Sequence, residues 1–161
     1  MPKADNEIRI IPSVLDRLLD YEPEKSREPV ASRSRGLLQV KDSVKRNLVW
    51  LLNTRYVPQE VPSDFKEVNE SLAVYGLPDF STASVKNPAD RNRLRAALEH
   101  TIKTFEPRLG DVTVTIEPMR DGERALRFRV NARLMVKPSP EPVTFDTMLQ
   151  LGSGEYIVQG E

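Results

Sequence analysis

Apolar residues recur along this chain with a spacing of four in its first two thirds and of two in its last third. Val14, Leu15, Leu18 and Leu19 repeat at helical spacing after Pro12, with Asp16, Arg17 and Asp20 on the other side, which predicts a short first helix. From Tyr21 to Gly36 the chain turns to Pro, Ser, Glu and Arg and reads as a solvated loop. Val40, Val44, Leu48 and Leu52 then step by four, and Val49, Trp50 and Leu51 widen that stripe. This predicts a second helix over Lys41 to Asn53, with Lys41, Lys45 and Arg46 on its polar edge. After Pro58 and Pro62, Ser63 and Asp64 are candidate caps for a short segment running through Leu72 to Tyr75 and stopping at Gly76. Leu77-Pro78-Asp79-Phe80 follows as a turn with two apolar anchors.

The firmest helix signal is Asn87-Pro88-Ala89-Asp90, an N-cap, a proline for the first helical position and an acid in the first turn. Leu94, Leu98, Ile102 and Phe105 carry its core stripe to a stop at Glu106-Pro107. Beyond that corner Val112, Val114 and Ile116 alternate, and Asp121-Gly122 predicts a tight hairpin. Leu126, Phe128, Val130, Ala132, Leu134 and Val136 alternate again, with Arg127, Arg129, Asn131 and Arg133 on the opposite face. Pro138, Pro140 and Pro142 break the ladder, a third strand runs from Val143 to Leu151, and a last one covers Tyr156 to Val158 after Gly152-Ser153-Gly154. Helices first and an antiparallel meander last predict an α+β fold in which a long helix packs on three to four strands. Residues 1–10 read as a tail and 11–161 as one domain.

Composition narrows the function classes. The 161 residues hold 24 Lys and Arg against 24 Asp and Glu, so no net charge draws nucleic acid or anionic lipid. There is no cysteine, hence no disulfide framework or thiolate metal site, and no apolar run approaches a signal or a membrane span. A cytoplasmic location, no cofactor and no metal are the expectations. His100 is the sole histidine, on a helix beside Glu99, and reads as solvated or partly packed. The Gly152-Ser153-Gly154 turn lies between strands and lacks the helix a phosphate cradle needs.

Two features carry candidate chemistry. Phe105-Glu106-Pro107-Arg108-Leu109 fixes an acid and a base on either side of a proline, as a core ion pair, a docking surface or an enzymatic acid. For the last role Asp111 would be the second carboxylate, but Arg108 favours ionised Glu106, the wrong direction for a general acid. The row Arg127, Arg129 and Arg133 reads as a solvated or helix-covered sheet face, a phosphate-binding stripe or a contact surface for acidic protein segments; with few aromatics beside it, it lacks the stacking platform of single-strand binders. The short last strand leaves at least one sheet edge open for strand addition.

Six segments occur in an order that resembles one family. They are Leu15-Asp16-Arg17-Leu18-Leu19, Val49 to Arg55 (VWLLNTR), Tyr75 to Phe80 (YGLPDF), Asp90 to Leu94 (DRNRL), Phe105 to Leu109 (FEPRL) and Phe145-Asp146-Thr147. Together, from about Ile11 to Val158, the chain is similar to TssE, the baseplate wedge component of bacterial type VI secretion, itself similar to the small wedge protein of contractile phage tails. The segments 21–36 and 54–62 match least. The resemblance implies a non-enzymatic role with TssF, TssG and TssK in the wedge, beside the first ring of the TssB–TssC sheath. It also implies that Glu106, Pro107 and Arg108 matter for wedge or sheath contacts, and that the small sheet offers the sheath a strand edge. Members have carried a lysozyme-like label, to which the residues lend no support.

Overall fold

A computed structural model describes residue 18 and residues 33–56, 64–80, 84, 87–118 and 124–160. The first helix, the loop up to residue 32, Ser63 and the Asp121-Gly122 hairpin lie outside the described residues, Leu18 excepted. The described chain comprises helix α1 (Arg33–Asn53), one turn of helix α2 (Lys66–Asn69), a 3₁₀ turn (Leu72–Val74) and helix α3 (Pro88–Phe105). Strands β1 (Leu109–Ile116), β2 (Ala125–Leu134), β3 (Glu141–Gln150) and β4 (Tyr156–Gly160) follow. The strands form one antiparallel sheet in chain order, a meander, so the α+β expectation holds.

The two periods explain the packing. Along β2 every second residue, from Leu126 to Leu134, faces the helices and is buried, while Arg127, Arg129 and Arg133 stand in solvent on the other face. Val40, Val44, Leu48, Leu51 and Leu52 of α1 and Leu94, Leu98 and Ile102 of α3 close the core over that face. α1 lies over the β4 side and α3 over the β1 side. Phe128 sits fully buried near the middle, edge-on to Tyr156 with ring centroids 5.9 Å apart. α3 starts as its sequence predicts: the Ala89 N–H donates to Asn87 Oδ1 at 2.9 Å, and Pro88 occupies the first turn.

Several boundaries differ from the sequence expectation, β3 spanning Glu141–Gln150 and β4 Tyr156–Gly160 among them. α1 begins at Arg33, two turns before Lys41, because Gly36 is buried and Leu37 packs on the core, so tertiary burial carries the helix through a weak helix former. Asp64 is not a cap: α2 starts after Phe65 without a side-chain cap, and Ser71 caps the 3₁₀ turn by accepting from Ala73 N–H. β2 ends at Leu134 rather than Val136, where the Val136 N–H bends back to the Leu134 carbonyl. Pro142 lies inside β3 instead of breaking the ladder. The register bonds Ala132 with Val143 and Leu134 with Glu141, so the Pro142 nitrogen points away from β2, and β4 pairs β3 only from Phe145 onward. Among the described residues no strand on that side needs the missing donor.

Thr147 is the one core hydroxyl among the described residues without a hydrogen-bond partner, 1% exposed and facing the helices from β3. Thr147→Val should stabilise the protein by about 1 kcal/mol, because it exchanges an unsatisfied polar atom for a methyl group of the same shape. Chemical denaturation with an unchanged slope would register this as a higher midpoint; a lower one would mean the hydroxyl has a role in the native state.

Candidate interaction site at the helix-to-strand corner

Pro107 ends α3 as the sequence requires. Glu106 leaves the helical region at φ −123° and ψ 75°, its N–H still donating to the Ile102 carbonyl at 2.9 Å, and the Leu109 N–H closes the turn onto the Glu106 carbonyl at 3.0 Å. This backbone path turns the Glu106 side chain inward, where the residue is 2% exposed. Arg108 meets it with a two-pronged ion pair, Nε to Oε1 at 2.6 Å and Nη2 to Oε2 at 2.7 Å. The third prong, Nη1, donates to Ser43 Oγ of α1 at 3.0 Å, and Asn47 Nδ2 of α1 donates to Glu106 Oε2 at 3.3 Å. The Arg108 carbonyl in turn accepts the Met135 N–H at 2.8 Å. One motif thus fastens α1, the end of α3, the start of β1 and the exit of β2.

Of the three roles open to this corner, the geometry favours the ion pair. Both carboxylate oxygens of Glu106 already accept hydrogen bonds inside the core, which leaves neither facing a substrate. Asp111 stands in solvent at the left-handed φ of 51°, its carboxylate 3.7 Å from Arg133 Nη1. One carboxyl is sealed and the other is hydrated, so they do not line a common cleft. Beside the corner, burial first and the Glu106 charge second push the Tyr75 hydroxyl above its ordinary pKa, and its ring packs edge-on against Phe105 at 5.2 Å. His100 is exposed on α3.

The arginine row resolves into a mixed ladder rather than a basic stripe. Arg129 Nε reaches Asp146 Oδ1 of β3 at 2.7 Å, and its Nη2 lies 3.9 Å from Glu117 Oε1. Arg133 faces Asp111, whereas Arg127 makes no ion pair among the described residues. Exposed pairs of this kind contribute about 0.5 kcal/mol each, so their main effect is to neutralise the face.

Residues to which the sequence assigned no role turn out to finish the sheet edges. The Asn53 amide at the end of α1 donates to the Tyr156 carbonyl and accepts the Tyr156 N–H, both at 2.9 Å, imitating a strand neighbour for β4. Glu99 Oε1 accepts the outward N–H of Val114 in β1 at 2.9 Å. Arg55 lies 5.1 Å over the Tyr156 ring and bonds the Gly154 carbonyl. Burial raises the Tyr156 pKa above its ordinary value near 10, against a smaller opposing pull from Arg55. The folded state therefore keeps the phenol proton that the unfolded chain releases. The resulting stability is complete below pH ~10 and fades as pH climbs through the raised folded value. Ultraviolet difference titration should show tyrosine ionising together with alkaline unfolding, and Tyr156→Phe should reduce that coupling to the share left by Tyr75.

Among the described residues no helix is long and apolar enough to cross a membrane, and no three acidic or histidine side chains gather as a metal site would require. The family model for baseplate wedge protein gp25 matches residues 38–139, which takes in the corner and stops before β3. A chain in a solved structure titled "The baseplate complex from the type VI secretion system" is 23% identical, with a TM-score of 0.46, over 77% of this chain and 93% of that chain. None of the curated proteins matches.

Proposed function

The chain belongs to the baseplate wedge protein gp25 family, and on that footing we propose that it is a structural part of a type VI secretion baseplate. In this reading residues 11–161 act as one wedge domain in the cytoplasm, joined to TssF, TssG and TssK, and present a sheet edge on which the TssB–TssC sheath begins. The family match carries the proposal, and the ordered resemblance of six segments to TssE supports its finer part. Glu106, Pro107 and Arg108 serve it by holding the helices and sheet in one rigid relation, so that surfaces on separate elements meet a partner in fixed register. Arg127, exposed and without an ion pair among the described residues, is the member of the arginine row best placed to touch another protein.

The test is capture from cells that carry the neighbouring genes. Tagged full-length protein should bring down wedge and sheath proteins, and cells lacking it should form no sheath until it is restored. Recovery of neither class, with normal sheaths in the deletion strain, would refute the reading. Arg127→Glu should weaken capture while leaving the melting temperature unchanged. The competing hydrolase reading requires release of peptidoglycan fragments by purified protein and loss of that release in Glu106→Gln.

A further inference from the structure

The two outer strands finish their edges with different chemistry. In β1 the pairing with β2 places Thr113, Thr115 and Glu117 in the ladder, as the 2.9 Å bond from Glu117 N–H to the Arg127 carbonyl fixes, so the N–H of Val114 points off the sheet. That donor is one an added strand would need, and Glu99 Oε1 already occupies it at 2.9 Å. Glu99 reaches it from α3 and is steadied by Arg95 one turn earlier, at 3.3 Å. Toward the start of β1 the register slips between Gly110 and Thr113, with Asp111 in the left-handed region, a bulge that bends the edge away from a straight path. On β4, by contrast, the Asn53 amide fills only the Tyr156 position, and Asn is both donor and acceptor as a strand residue is. A carboxylate accepts only. The carbonyl that an incoming strand must bring to the Val114 N–H would meet the oxygen already seated there, acceptor against acceptor, and an amide oxygen at the same reach would oppose it likewise.

We propose that Glu99 bars β1 from accepting a strand and thereby confines strand addition on this sheet to the β4 side. The bar belongs to the isolated chain and is tested without any baseplate or sheath protein, so its failure leaves the baseplate reading untouched, and the reverse. The variants are Glu99→Ala, which removes the carboxylate, Glu99→Asp, which keeps the charge but falls one methylene short, and Glu99→Gln, which keeps an oxygen at full reach. Exchange of the Val114 amide should speed up at least about tenfold in the first two and stay near wild type in the third. Sedimentation of the first two should show added association that grows with concentration, and in the associated species exchange at Ile116, another outward amide of β1, should slow. Glu99→Gln should sediment as wild type does. Fast Val114 exchange without added association would overturn the proposal, since the bulge alone would then be closing the edge. So would unchanged Val114 exchange in folded Glu99→Ala and Glu99→Asp.

Discussion

Arg108→Ala should lower stability by about 3 kcal/mol, which for a domain of this size is a fall of roughly 10 °C in the melting midpoint. The size follows from which partner is left behind. Glu106 is 2% exposed, so without Arg108 its carboxylate stays in the core with only the Asn47 amide, 3.3 Å away. The reciprocal change, Glu106→Gln, leaves a guanidinium whose side chain is 28% exposed and still bonded to Ser43, and should cost about half as much. Replacing both with methionine removes the desolvated charges together and should be milder than Arg108→Ala alone. Equilibrium denaturation of the three variants checks the order; equal losses for the two single changes would mean that the pair is hydrated in solution. Because Arg108 is structural, loss of secretion in Arg108→Ala shows a contact with a partner only if the variant is first shown to be folded.

Gly76→Ala should be at least as damaging, about 3 kcal/mol or more, for two reasons that add. Gly76 has φ +110°, a conformation open to glycine and strained for alanine. A Cβ there would also lie 2.4 Å from the Thr54 carbonyl oxygen, a backbone atom that cannot swing aside. That same oxygen accepts the Leu77 N–H at 2.9 Å in the parallel bridge between Arg55 and Leu77, so moving it releases the fully buried Leu77. Gly152→Ala, where a Cβ meets nothing within 4 Å, is the control and should be neutral in the same thermal melts.

What could be read from the chain was what is decided locally. Asn87-Pro88 names its own helix start, and the period-two run from Leu126 to Leu134 names both its strand and its buried face. The start of α1 and the place of Pro142 escaped because burial of Leu37 and the short reach of β4 decide them, and neither is visible within a few residues. At the corner the sequence supplied Glu106, Pro107 and Arg108 but left three roles open. The deciding partners, Ser43 and Asn47, lie 65 and 59 residues away on another helix. Glu99 gave no sign, and Asn53 only that it lies in the segment Val49 to Arg55, since a polar residue on a helix looks the same whether it meets water or a strand edge.

The Asn53 contact with Tyr156 also bears on the order in which the molecule assembles. It joins residues 103 apart, and bringing the ends of so long a loop together costs on the order of 4 kcal/mol before either hydrogen bond forms. Neighbouring strands of the meander meet over far shorter loops, so β2 and β3 can pair while α1 is still free. On that order Asn53 would be a latch that closes last, and its loss should speed unfolding while leaving the folding rate unchanged.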